Sequence, residues 1–271
     1  MSGEILIADL SAERNRLRVT GGDRVEFVHG QCTNDVKRLA VGEYCYAAFL
    51  NAKGKMRGEG HIFCLADTLL LETSPGLLPS LEKFIVTEDV QIEDVGGKLT
   101  EWLIIGDATG RIPMGAMTFA HPLGVGVITN GSLVASITPA ELEELRIEAG
   151  LPLWGADMDE TTIPNEVGLE RRAISYDKGC YIGQETIARI KTYGHVNRQL
   201  VLIAVAGEKV PARGQKLFQG EKEVGQVTSA TLSVRLGKPV ALGYLRRELA
   251  RTGTKLKVSE SNAEVLRVCG E

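Results

Sequence analysis

The stretch Tyr44–Leu65, YCYAAFLNAKGKMRGEGHIFCL, reads as a β-hairpin. Two β-rich runs, Tyr44–Leu50 and Met56–Leu65, flank Asn51-Ala52-Lys53-Gly54-Lys55, and Gly54 can take the positive φ that such a turn requires. Upstream, Ile5–Leu10 and Arg16–Thr20 are strand-like, the second alternating Leu17 and Val19 with Arg16 and Arg18. Asp23 is placed to cap a helix through Val28, and Asn34/Asp35 to start a second short helix to Leu39. Downstream, Thr68–Thr73 is a third strand. Pro75–Val86 puts Leu77, Leu78, Leu81, Phe84 and Ile85 at helical spacing behind a proline. Val90–Val95 and Thr100–Ile105 are further strands. Gly124–Thr129 and Leu133–Ile137 are expected to pair around Asn130-Gly131, and Pro139 opens a helix that Gly150 ends. Strands that pair locally and are separated by single helices predict an α+β body of antiparallel layers, not a doubly wound parallel sheet.

From Asn197 the pattern changes. Arg198–Ala206, Gln215–Gln219, Glu223–Leu232, Val240–Leu245, Lys255–Ser259 and Glu264–Val268 are short strand candidates punctuated by glycines, with no long helix. Such evenly spaced short strands predict a small barrel or sandwich, so two domains are expected, 1–196 and 197–271. The 24% of charged and 44% of hydrophobic residues exclude wholesale disorder. The longest apolar run, Leu200–Ala206, is far short of the roughly 20 residues of a membrane-spanning helix. No targeting pattern is visible at the N-terminus, and the five scattered cysteines form no CxxC pair, so a reducing cytoplasm is the expected location.

The formal charge of −4 divides unevenly. Residues 197–271 carry 13 Lys+Arg against 7 Asp+Glu, and residues 1–196 carry 18 against 28. A basic C-terminal part reads either as a solvated surface or as a contact for an anionic partner such as RNA. Generic nucleotide motifs fail: there is no GxxxxGK[ST] loop, and GVGVITNG (124–131) has only a G-x-G inside a hairpin pattern. His29, His61, His121 and His195 lack zinc-ligand spacing, and no metal site is expected.

The segment with chemical character is Lys178-Gly179-Cys180-Tyr181-Ile182-Gly183-Gln184-Glu185, followed by TIARIK, whose Ile187, Ala188 and Ile190 form an apolar helical stripe. Gly179 and Gly183 bracket a turn into that helix. Cys180 therefore precedes a helix N-terminus, whose free N–H groups favour a thiolate, while a lone cysteine also reads as a small buried hydrophobe. KGCYIGQE resembles the signature of the YgfZ-type folate-binding proteins, relatives of the glycine-cleavage T-protein (aminomethyltransferase). GQCTNDVKRL (30–39), AAFLNAKGKM (47–56), RIEAGLPLWGADMDE (146–160) and IPNEVGLE (163–170) resemble other blocks of that family in the same order.

The resemblance implies a folate-binding body of ferredoxin-like α+β layers with a small C-terminal β-barrel, and tetrahydrofolate or a one-carbon derivative as cofactor. Glu148 in RIEAG matches the position that holds the pterin, where a carboxylate accepts paired N–H donors. Arg198 matches a basic position suited to the glutamyl tail, and it also reads as a solvated strand-edge arginine. Asn51, Tyr46 and Asn34 are expected along the same channel, and Asp35 either there or as a cap. Lys178, Gly179, Tyr181, Gly183, Gln184 and Glu185 frame Cys180, the implied reactive thiol. One place departs from the family: the T-protein carries an acidic pair where this chain has Gly58-Glu59. Loss of a placed acid–base group costs about 10²–10⁴ in rate, which sets the aminomethyltransferase reading behind the other. The YgfZ-type relatives assist iron–sulfur enzymes in a folate-dependent way and are linked through one to tRNA modification. The expected function is therefore a folate-binding accessory protein with iron–sulfur client or assembly proteins as partners, and no membrane.

Overall fold

The computed structural model describes residues 4–270. Its elements are β1 (Leu6–Asp9), β2 (Asn15–Thr20), α1 (Arg24–Gln31), β3 (Tyr44–Leu50), β4 (Met56–Cys64), β5 (Leu69–Thr73), α2 (Leu78–Glu82), β6 (Gln91–Asp94), β7 (Thr100–Ile105), β8 (Met117–His121) and β9 (Gly124–Thr129). There follow α3 (Pro139–Glu148), α4 (Glu170–Ala173), α5 (Gln184–Tyr193), β10 (Arg198–Val205), β11 (Lys216–Gln219), β12 (Lys222–Ser233), β13 (Lys238–Arg246), β14 (Lys255–Val258) and β15 (Ser261–Val268). The chain forms two compact units, one of residues up to 139 with 172–188, the other of 140–171 with 189 onward.

The first unit holds two antiparallel sheets, β3-β4-β5-β2-β6 and β1-β7-β9-β8. The expected hairpin is β3–β4, with Tyr44 opposite Phe63 and Gly54 at φ 74° in its turn. Side chains alternate across a strand, so the five-stranded sheet has two distinct faces. Leu17, Val19, Ala47, Phe49, Ile62, Leu69 and Leu71 pack on one face against Phe27 and Val28 of α1 and against Leu77 and Leu81. Phe63 and Leu70 on the other face meet Phe119 and Ile128 of the four-stranded sheet. Glu59, His61 and Glu72 lie on this second face and are buried.

Four local expectations are corrected. Residues 36–39 form a turn and not a helix, because the Asp35 carboxylate accepts the Lys37 N–H and competes with helical bonding. Asp23 precedes α1, but its carboxylate accepts the Asp89 N–H at 2.9 Å and caps nothing. The helix expected over Pro75–Val86 is confined to α2. Gly76 at φ 85° delays its start, and a short Phe84 N–H to Leu81 O bond tightens its end. Finally, β9 pairs with β8 and not with Leu133–Ile137. Both edges of β9 are occupied, by β7 and β8, so residues 133–137 run outside the ladder; there the Ser136 N–H donates to Ile7 O.

In the second unit all six expected strands form, and they close into a barrel in the order β10-β13-β12-β11-β14-β15. Its interior is aliphatic, with Val201, Ile203, Leu217, Val227, Ala241, Leu245 and Val265 among its buried residues. The barrel begins at Arg198, beside the boundary expected at 196, and the second unit also takes in 140–171. A buried ion pair accounts for this membership: Arg146 on α3 donates to Asp157 Oδ2 at 2.7 Å and to Ser229 Oγ of β12 at 2.9 Å. Tyr244 of β13 donates its hydroxyl to Asp157 O at 2.8 Å.

Candidate functional site

The KGCYIGQE loop is seated on the C-terminal end of α1. A helix leaves its last carbonyls without partners, and this loop supplies them. The buried Lys178 ammonium donates to His29 O at 2.6 Å and to Cys32 O at 2.7 Å, and the Ile182 N–H donates to Gly30 O at 3.1 Å. Lys178 Nζ also lies 4.8 Å from the centre of the buried Tyr181 ring, a cation–π contact. Burial lowers the Lys178 ammonium and, together with Lys178, lowers the His29 imidazolium; it pushes the Tyr181 phenol up to about 12. Gly183 sits at φ 83°, and a Cβ there would stand 2.5 Å from Asn51 O in the β3–β4 turn. Gly54 of that turn abuts Thr186 in the same way. The Gln184 N–H donates to Tyr181 O as α5 begins, and Glu185 lies in the first turn of α5. Cys180 is left exposed, whereas the other four cysteines are buried or half-buried. Burial pushes the Cys32 and Cys45 thiols up, and Cys269 to about 12.

A second polar centre lies on the inter-sheet face of the first unit. Arg14 donates to both oxygens of Glu59, at 2.5 and 3.2 Å, and to Glu72. Glu59 also accepts the Tyr46 hydroxyl at 2.7 Å, and His61 Nδ1 lies 2.7 Å from Glu72 Oε2. Burial alone would raise the Glu72 carboxyl, but Arg14 and His61 outweigh it and hold Glu72 well below the usual carboxylate range. The two carboxylates likewise overcome the burial cost on Arg14 and raise its guanidinium. Burial and the Glu59 charge raise the Tyr46 phenol, and the Arg172 guanidinium lies 4.5 Å from the centre of its ring. Burial, with His61 nearby, pushes the His121 imidazole down to about 4. Gly58 points to the opposite face, where a Cβ would meet Ser74 Oγ at 2.7 Å and Leu77 at 3.3 Å, so an aspartate has no room there.

The other expected ligand residues are engaged as follows. Asn34 Nδ2 donates to Tyr46 O at 2.8 Å, and Asn51 Oδ1 accepts the Lys53 and Lys55 N–H groups of its own turn. Tyr46, Asn34 and Asn51 thus belong to the first unit with Cys180, whereas Glu148 and Arg198 belong to the second. Glu148, at the end of α3, accepts the Ser233 hydroxyl and pairs with Arg235 at 3.3 Å. Arg198 donates to Glu166 Oε2 at 3.1 Å and stacks over Tyr244 at 4.1 Å. Burial opposes its charge, but Glu166 outweighs burial and raises the guanidinium. Arg14, His61 and Glu72 were not foreseen as a cluster, although Glu72, alone among the leucines of LLLET, marks a charge on an otherwise apolar strand. Among the described residues no group of three or more His, Cys, Asp or Glu is placed to hold a metal, and no helix is long and apolar enough to cross a membrane.

Comparison with known proteins agrees with this architecture. A model of the glycine cleavage T-protein C-terminal barrel domain matches residues 198–267. The tRNA-modifying protein YgfZ of Yersinia pestis is 29% identical over 78% of this chain and 76% of its own length. An uncharacterized protein of Haemophilus influenzae is 30% identical over 79% of this chain and 80% of its own. The chain belongs to the YgfZ-type family, related to the glycine-cleavage T-protein. The crystal structure of the glycine cleavage system aminomethyltransferase T from Bartonella henselae superposes with a TM-score of 0.80 over 99% of this chain and 86% of that one; at 18% identity this shows the fold. Curated aminomethyltransferases, 37–40% identical in the matched part, are spanned over only about a third of their length.

Proposed function

We propose that this protein binds a reduced folate, tetrahydrofolate or a one-carbon derivative, and serves tRNA modification as an accessory to iron–sulfur enzymes, with Cys180 as its working thiol. The observation that carries the reading is the KGCYIGQE loop, in which Lys178, Ile182 and Gly183 are held by the protein and the sulfur is left outside. The relative named as a tRNA-modifying protein supports the biological direction.

In this reading Glu148, which the Ser233 hydroxyl and Arg235 already engage, would turn its remaining lone pairs to an aminopyrimidine edge, and Arg198 would offer a half-exposed fork to a glutamyl carboxylate. Bound folate would supply a carrier for one-carbon units. Cys180 offers a client one sulfur ligand or nucleophile. Fe–S clusters usually take four protein ligands, so Cys180 alone holds none and acts with a partner.

The aminomethyltransferase reading is disfavoured because both Glu59 oxygens are occupied by Arg14 and Tyr46, which leaves no free base at that place. Contact with RNA is favoured by one observation: Arg246, Arg247 and Arg251, around the turn after β13, are exposed and form no ion pair among the described residues. If they meet phosphates, affinity for tRNA falls steeply with salt, with a log–log slope of about −0.7 to −0.9 per contact.

Calorimetric titration with tetrahydrofolate tests the main proposal. Cys180→Ser should bind like the unaltered protein and fail to restore tRNA modification in cells lacking it. Glu148→Ala should bind at least about tenfold more weakly, the loss of a charged hydrogen-bond pair. Full complementation by Cys180→Ser would remove the thiol from the account.

A further inference from the structure

The segment that leads into the barrel carries an exposed aromatic ring beside exposed cations. From Thr186 to Gly207 the chain has no acidic residue, and Arg189, Lys191 and Arg198 fall in that span. Within it α5 ends on Tyr193. Gly194, at φ 86°, donates its N–H to Ile190 O at 2.7 Å and closes the helix. His195 secures the same turn by donating from Nδ1 to Tyr193 O at 3.1 Å. The backbone at Tyr193 is thus held, yet its side chain is 75% exposed. Phe84, by contrast, is 40% exposed and has the Arg57 guanidinium 4.8 Å from its ring centre.

Two contacts within the second unit bring the arginines after β13 to this segment. The Arg247 N–H donates to Asn197 O at 3.0 Å, and Arg246 stands opposite Arg198 in the β10–β13 register. Four residues separate Tyr193 from Asn197, so their Cα atoms are at most about 14 Å apart, within the reach of a few nucleotides. Arg246, Arg247 and Arg251 are exposed, and Glu248 is the only acidic residue from 246 to 251. Cations of this kind repel a metal ion and attract phosphates. Free phosphate has no use for a ring, and a duplex keeps its bases stacked on one another. An unpaired strand offers phosphates together with open base faces. We propose that this surface binds a single-stranded segment of RNA, with one base stacked on Tyr193 and the neighbouring phosphates on Arg246 and Arg247. This rests on the RNA contact named above and adds to it the ring, and with the ring a choice of unpaired over paired nucleotides.

Titration of the full chain with a short unstructured RNA oligonucleotide, and with a hairpin whose stem contains the same sequence, tests it. The oligonucleotide should bind more tightly. Tyr193→Ala should weaken it about 5- to 150-fold, the range of one lost base stack, and leave the hairpin affinity and the melting temperature unchanged. Tyr193→Phe, which keeps the ring, should bind like the unaltered protein. Arg246→Gln and Arg247→Gln should each flatten the log–log salt dependence by about 0.7, and Tyr193→Ala should not change it. Oligonucleotide binding that Tyr193→Ala leaves unchanged would overturn the proposal, as would an equal loss on oligonucleotide and hairpin or a preference for the hairpin. Failure of the unaltered protein to bind either RNA would overturn the RNA contact itself, before any variant is made. Binding to phosphatidylserine vesicles in place of RNA would do the same and assign the surface to a membrane.

Discussion

Lys178 shows how one side chain of the motif serves another. Its ammonium closes two carbonyls at the end of α1, and its stem carries the backbone into the turn that exposes Cys180. Lys178→Met keeps most of the packing and leaves both carbonyls unpaired. A buried acceptor stripped of its partner costs about 1–3 kcal/mol, so the melting temperature should fall by roughly 5 °C. Amide exchange of Ile182, whose N–H bonds to Gly30 O, should accelerate in the same variant. An unchanged exchange rate would show that the loop is held without the lysine. The motif and its position were legible in the residues. The direction of the Lys178 ammonium was not, because its acceptors lie nearly 150 residues earlier in the chain.

At the scale of elements, the loop and the β3–β4 turn are locked together by two glycines from distant parts of the sequence. Gly183→Ala demands a left-handed backbone from a residue with a Cβ, which costs about 1–2 kcal/mol, and drives that Cβ against Asn51 O. It should lower the melting point by several degrees. Gly179→Ala in the same motif has φ outside the left-handed region and its nearest neighbour, His29 Nε2, at 3.7 Å, so its stability should stay within about 0.5 kcal/mol of the parent. Equal destabilisation by the two substitutions would contradict this packing. The β3–β4 hairpin and the six barrel strands were readable because period-two alternation and turn glycines are local signals. The partner of β9 was not, since an occupied edge is a property of the assembled sheet.

Over the molecule as a whole, the Arg14–Glu59–Glu72–His61 centre ties acid stability to the inter-sheet face of the first unit. Glu72 is held below its unfolded value, so its contribution is fully present above about pH 4.5 and is lost as the pH falls through its folded value. Arg14→Met leaves two buried carboxylates uncompensated and should cost about 3–5 kcal/mol at pH 7. The deficit should shrink on acidification as those carboxylates take up protons; denaturant titrations at pH 7 and pH 5 would show it, and a constant deficit would mean that the guanidinium acts by packing alone. Composition, alternation and turn chemistry by themselves determined the α+β class and the C-terminal barrel strands, and the resemblance of KGCYIGQE pointed to the family, because each is written in contiguous residues. Only the tertiary structure decided that Glu59 is bound by Arg14 and that Cys180 is the exposed sulfur. Burial and pairing arise when strands and turns far apart in the chain are brought within a few ångströms, and no local pattern encodes that proximity.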